Sequence, residues 1–182
     1  RPELGAIAIN GATGGVGMLA TGLFSKAGFE VHAISGKPEH SDFLRHIGAT
    51  KVLSRESILT EKAMDSICFG GAVDSVGGAA LSSLLAKVAP YGNVASCGLV
   101  ASHSLNTTVM PFIIRGVSLL GIASAGTERL IREKVWALLS KYWDSNTLNA
   151  LAVQEIQLSE LNHVFERMLS GQSFGRHVVK IQ

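Results

Sequence analysis

Cysteine is scarce in this chain of 182 residues: Cys68 and Cys97 are the only two, and no C-x-x-C spacing links them. That excludes a disulfide scaffold, and the expected reading is two reduced core thiols in a cytoplasmic protein. Runs of one charge are also missing. The 16 Lys and Arg residues are scattered among 14 Asp and Glu for a net charge of +2, so no nucleic-acid partner is expected. No apolar run reaches membrane-spanning length and the first residues do not read as a signal peptide, so no membrane partner is expected. There is no internal repeat and no low-complexity stretch. No pair of the six histidines has a metal-ligand spacing, and no metal is expected. Ser-His-Asp sets and paired carboxylates are absent as well. So is Tyr-x-x-x-Lys, which argues against a short-chain dehydrogenase: Tyr91 is followed four residues later by Ala95, and Tyr142 by Asn146. No catalytic residue is assigned.

Apolar residues and glycine are plentiful. Hydrophobic residues make up 47% and charged residues 16%, enough for a real core in one domain of ordinary size. The stretch Ala6–Gly17, A-I-A-I-N-G-A-T-G-G-V-G, organises the rest. Ala6–Ile9 suits a strand buried on both faces. Gly11, Gly14, Gly15 and Gly17 follow, then Met18, Leu19, Leu23, Phe24 and Ala27 at helical spacing, with Gly28 as the stop. Strand, glycine turn and helix start form a dinucleotide-binding fingerprint, here A-x-G-x-x-G with Ala12 in the place of the usual first glycine. Thr13, Gly14, Gly15 and Val16 are the expected pyrophosphate contacts, because the free N–H groups of a helix start attract anions.

The remaining chain alternates strands and helices. Strands are predicted at Val31–Ile34, Lys51–Ser54, Gly71–Val76, Asn93–Cys97 and Val117–Ala123. Helices are predicted at Glu39–Ile47, Ser57–Met64 (weakly), Ala79–Ala89, Met110–Ile114 (a short turn) and Thr127–Trp143. The last is the longest, with Leu130, Ile131, Val135, Leu138, Leu139 and Tyr142 on one face. A polar loop, Asp144–Asn149, precedes a strand at Val153–Gln157, a helix at Leu161–Leu169 and a strand at Val178–Ile181. The pattern predicts an α/β Rossmann fold, a doubly wound six-stranded parallel sheet of order 3-2-1-4-5-6. Its core spans about residues 6–145. The return segment, about 150–182, fits that sheet less naturally.

The end of the second strand selects the adenine ribose. An NAD site places Asp or Glu there, whereas this chain has Ser35, Gly36 and Lys37; Glu30 lies at the wrong end of the strand. A hydroxyl and an ammonium beside a glycine suit a 2′-phosphate, and Arg55, past the neighbouring strand, is a second candidate cation. A solvated surface lysine is the plainer alternative for Lys37. The ends of strands four to six, Val76-Gly77, Cys97-Gly98-Leu99 and Ala123-Ser124, should border the nicotinamide. Cys97 lacks any base in the sequence, so a buried spectator thiol is expected rather than a nucleophile.

The segments G-A-T-G-G-V-G, S-G-K-P, F-L-R-H-I-G-A, A-V-D-S-V-G-G, S-C-G-L, T-V-M-P-F-I-I-R-G-V-S-L-L-G-I and G-R-H-V-V-K-I resemble the medium-chain dehydrogenase/reductase superfamily. Within it they are most similar to the zinc-independent quinone-oxidoreductase branch of acrylyl-CoA reductase type. Thr108–Val117 is the most specific part. The resemblance implies NADPH as cofactor, with Ser35 and Lys37 on its 2′-phosphate and Arg55 as helper. It also implies hydride transfer to an activated double bond or a quinone in a small-molecule substrate, and a homodimer through strand 117–123. It further implies a preceding GroES-like catalytic domain, absent from this sequence, onto which Leu161–Ile181 would pack, leaving Leu161, Val164, Phe165 and Met168 exposed. Phe43, where relatives often have Tyr, and the short Ala125-Gly126-Thr127 loop depart from the pattern. A stand-alone nucleotide-sensing or structural module acting through a partner is the rival expectation.

Overall fold

In the computed structural model, residues 2–143, 148–151 and 153–181 are described. Six strands, β1 (Ile7–Asn10), β2 (Val31–Ser35), β3 (Lys51–Ser54), β4 (Gly71–Asp74), β5 (Asn93–Ser96) and β6 (Ser118–Gly121), form one sheet of order β3-β2-β1-β4-β5-β6. Every pairing in it is parallel. β1 is central and buried along its whole length, as its uninterrupted apolar run requires.

Helices cover both faces. α1 (Gly15–Lys26) and α2 (Ser41–His46) pack on one face over Ile7, Ile9, Val31 and Ala33. α3 (Gly78–Lys87) and α4 (Met110–Arg115) lie on the other, where Leu81, Leu84, Leu85 and Phe112 join Ala8, Ile34, Ala72, Val94 and Val117. The predicted helix Ser57–Met64 is instead a single 3-10 turn, Glu56–Ile58, that inserts only Ile58 into the core. The loop beyond it is tied down by Asp65, whose carboxylate holds Lys87 at 3.0 Å and whose carbonyl accepts from Arg115 at 2.6 Å.

α5 (Arg129–Leu139) is shorter than predicted, shorter also than α1, and contains no buried residue. Leu130 is 70% and Ile131 52% exposed. The apolar period correctly marks a face that needs a cover; nothing among the described residues supplies it. Residues 144–147 of the predicted polar loop lie outside the described residues. β7 (Val153–Gln157), α6 (Leu161–Leu169) and β8 (Arg176–Lys180) form the return unit, whose two strands pair in parallel in a separate sheet. Val164 of α6 is buried, whereas Phe165 and Met168 stand about half exposed.

Candidate cofactor site

The site lies along the carboxyl ends of β1, β2, β4 and β5. At the end of β1 the chain turns through Gly11, at φ 76°, into α1. Gly17 packs α1 against this turn so closely that a Cβ there would lie 2.6 Å from Ala12 Cα. The first N–H groups of α1, from Gly15, Val16 and Gly17, have no intrahelical acceptor. Gly14 and Val16 are exposed in front of them, and Thr13 is buried behind, with its hydroxyl 3.4 Å from that of Ser35. A cradle of bare N–H groups at a helix start fits a pyrophosphate. It also carries a cation that the sequence reading missed. The Arg176 guanidinium, at the start of β8, fills the space a Cβ on Gly15 would take. The only sequence signal was an arginine directly after a glycine at the entry of the last strand.

At the end of β2, Ser35 pairs in register with Ser54 of β3. That register brings Arg55 across: a Cβ on Gly36 would lie 3.1 Å from the Arg55 guanidinium carbon. The Ser35 hydroxyl accepts from the Lys37 N–H at 3.0 Å, and the Lys37 ammonium donates to the Ser173 carbonyl. Partial burial lowers the Lys37 pKa, helped by the positive charges of Arg55 and Arg167 and opposed by Glu39. Lys37 is thus only partly solvated, and its ammonium is held by a carbonyl rather than by a carboxylate. Glu30 is engaged elsewhere: its hydrogen bond with His32 at 2.8 Å, helped by the charge of Lys51 3.8 Å away, holds its pKa low. Glu39 turns to His40. This donor set fits a phosphate, and among the described residues no acid is placed in it to hold a free 2′-hydroxyl.

β4 ends at Asp74, a buried residue that organises the next turn. It accepts from Asn10 Nδ2 at 2.6 Å and from the N–H groups of Gly77 at 2.9 Å and Val76 at 3.3 Å. Gly77 and Gly78 both have positive φ there, which favours glycine. Val76, expected at the site, packs into the core instead. Gly77, Cys97, Gly98 and Leu99 line one cavity of about 320 Å³, together with Leu81, Ser102 and Ile122. Ala123 and Ser124, also expected there, are exposed and do not line it. Gly98 permits the close approach of this wall to Ser75, 2.9 Å from Ser75 Cα to a Cβ position.

Both thiols prove exposed rather than core. Cys97 sits on the open crest of β5, bonds the Asp74 carbonyl at 3.3 Å, and has its pKa raised by partial desolvation and the Asp74 charge. That opposes a nucleophilic role. A larger cavity of about 630 Å³, lined largely by hydroxyl and small side chains such as Thr60, Ser82, Ser104 and Thr108, contains none of the predicted site residues. Among the described residues, no group of three His, Cys, Asp or Glu side chains could hold a metal ion, and no helix is long and apolar enough to cross a membrane.

Comparison with known proteins places the chain in a family and a fold. Residues 15–141 match the family model for zinc-binding dehydrogenases. The putative quinone oxidoreductase YhfP of Bacillus subtilis is 40% identical over 182 residues, 99% of this chain and 55% of YhfP. Its crystal structure with NAD bound matches at a TM-score of 0.90, covering 100% of this chain and 56% of that one. The probable acrylyl-CoA reductase AcuI of Escherichia coli is 37% identical over 181 residues, 100% of this chain and 56% of AcuI. The crystal structure of E. coli YhdH with bound NADPH matches at a TM-score of 0.94 and 37% identity, covering 100% of this chain and 56% of that one. The chain thus spans about half the length of the relatives it matches. It belongs to the zinc-binding dehydrogenase family, as the nucleotide-binding domain of a medium-chain dehydrogenase/reductase.

Proposed function

We propose that this chain is the NADPH-binding half of an oxidoreductase acting on an activated double bond, of the kind found in an acrylyl-CoA-like enoyl thioester, or on a quinone. One observation carries the cofactor choice: Ser35, Lys37 and Arg55 converge at the end of β2, and among the described residues no carboxylate forms an ion pair with either cation. The NADPH in YhdH supports it. The NAD in YhfP means that the phosphate-reading residues, not family membership, must carry the argument.

Bound NADPH would supply a hydride from its nicotinamide ring. The protein's own part is to hold the cofactor. The start of α1 and Arg176 receive the pyrophosphate, Lys37 and Arg55 the 2′-phosphate, and Gly77 and Cys97–Leu99 one side of the ring. Hydride transfer also needs the acceptor held at reacting distance and a donor for the charge developing on it. This cavity offers apolar side chains (Leu81, Leu99, Leu105 and Ile122), small ones (Cys97, Ser102 and Ser104) and one imidazole, His103. The family resemblance assigns the opposite wall to the half of the relatives that this chain does not span, so the chain by itself binds NADPH without useful turnover.

Fusing the chain behind the N-terminal half of YhfP, at the boundary set by the alignment, tests this. NADPH oxidation with acrylyl-CoA or a quinone should be negligible for the 182-residue chain and restored in the fusion. Efficient turnover by the chain alone would overturn the division of labour. The same reading includes a two-fold dimer through β6, the sheet edge, where Leu120 is 44% exposed and an unpaired edge is a template for pairing. Sedimentation of the wild type and of Leu120→Lys should show dimer and monomer respectively; a wild-type monomer at high concentration would count against it.

A further inference from the structure

The loop joining α6 to β8 reaches the phosphate site and is anchored there. Phe174 sits between two residues that follow Lys37. Its ring stacks on His40, with centroids 3.7 Å apart and planes 13° from parallel. It meets Phe43 edge-on at 5.0 Å and 88°. The edge-on contact with Phe43 suits the aromatic quadrupole. On one side, the Gly175 N–H donates to the Thr13 carbonyl at 3.1 Å. On the other, the Ser173 carbonyl accepts the Lys37 ammonium.

Lys37 needs that acceptor. Arg55 and Arg167 are nearby like charges, and the nearest acid, Glu39, turns to His40. An unanchored lysine would swing into water and would have to give up its rotamer freedom on meeting a phosphate. An ammonium has three N–H donors. One spent on a carbonyl fixes its position and leaves two for phosphate oxygens.

We infer that Phe174 is a positioning residue for 2′-phosphate selection: seated between His40 and Phe43, it fixes the Ser173 carbonyl that holds Lys37 beside Arg55 at the end of β2. The inference rests on the proposed NADPH reading. Phe43, the aromatic that stands where Tyr is expected, packs against both Phe174 and the core beneath it.

Calorimetric titration of the 182-residue chain with NADPH and with NADH tests it. Phe174→Ala should weaken NADPH about five- to tenfold and NADH less than twofold, and Phe174→Tyr should restore the wild-type ratio. Should Phe174→Ala not fold, His40→Ala removes the other face of the stack from a surface turn and carries the same expectation. A loop that only supports folding or the pyrophosphate lowers both cofactors by one factor, and an unchanged NADPH-to-NADH ratio in either variant overturns the inference. If the wild type binds NADPH well with its preference intact while the variants keep the ratio, this inference alone fails. A wild-type chain with no NADPH preference overturns the cofactor reading, and this inference with it.

Discussion

Replacing Lys37 with alanine isolates the phosphate-reading charge. The ammonium is anchored by the Ser173 carbonyl and half-buried beside Arg55. It need not abandon its anchor to meet a phosphate, so the new contact counts nearly in full. A hydrogen bond to a charged group contributes about 1.5–3 kcal/mol. Arg55 remains in the variant and still attracts the phosphate, which puts the loss at the lower end, about 1.5 kcal/mol. That corresponds to roughly a tenfold rise in the NADPH dissociation constant. NADH, with a hydroxyl at that carbon, should change less than twofold. Fluorescence enhancement of the bound reduced nicotinamide reports both affinities in one buffer. Because exposed charges are screened by salt, the NADPH difference should shrink as ionic strength rises. An equal loss for both cofactors would refute the reasoning, since it would mean that Lys37 supports the site's structure without reading the phosphate.

Gly17→Ala should force α1 away from the Gly11–Ala12 turn, costing about 1–3 kcal/mol of stability in urea unfolding and weakening NADPH and NADH alike. Asp65 has its pKa held well below the usual carboxylate range, chiefly by the Lys87 hydrogen bond. Its contribution to stability should therefore be present above the ordinary carboxylate pKa and be lost as pH falls through the lowered one. Asp65→Asn should accordingly lower Tm at pH 7, with the gap to wild type closing only in strong acid. The raised pKa of Cys97 predicts slow alkylation at neutral pH that accelerates only above the ordinary thiol range, and protection by NADPH, both read by mass spectrometry.

Most of the sheet was legible because its signals are local. The buried run Ile7–Asn10 and the glycines after it specify a central strand and a close helix whatever surrounds them. Ser35, Lys37 and Arg55 could be grouped because parallel register follows from strand order. What sequence could not give were contacts set by distant segments. Arg176 and Phe174 reach the site from the far end of the chain, and no period predicts where a return loop lands. Asp74 falls inside the predicted strand Gly71–Val76 with no role marked by the sequence, whereas burial makes it the acceptor that shapes the next turn. The α5 stripe showed that a face wants covering, but amphipathicity does not name the cover. The exposure of Cys97 was missed for the same reason, since a small residue after an apolar strand reads as core unless the far wall is known.

The central claim is that the end of β2 reads a phosphate. The most direct measurement is competition at equilibrium between adenosine 2′,5′-bisphosphate and 5′-AMP for NADPH bound to the wild-type chain. Neither competitor carries a nicotinamide, so the result depends on the adenosine end alone. The account predicts that the bisphosphate displaces NADPH at a concentration at least tenfold lower than 5′-AMP. Equal displacement by both would show that Ser35, Lys37 and Arg55 do not recognise the 2′-phosphate, and would contradict the assignment of NADPH to this chain.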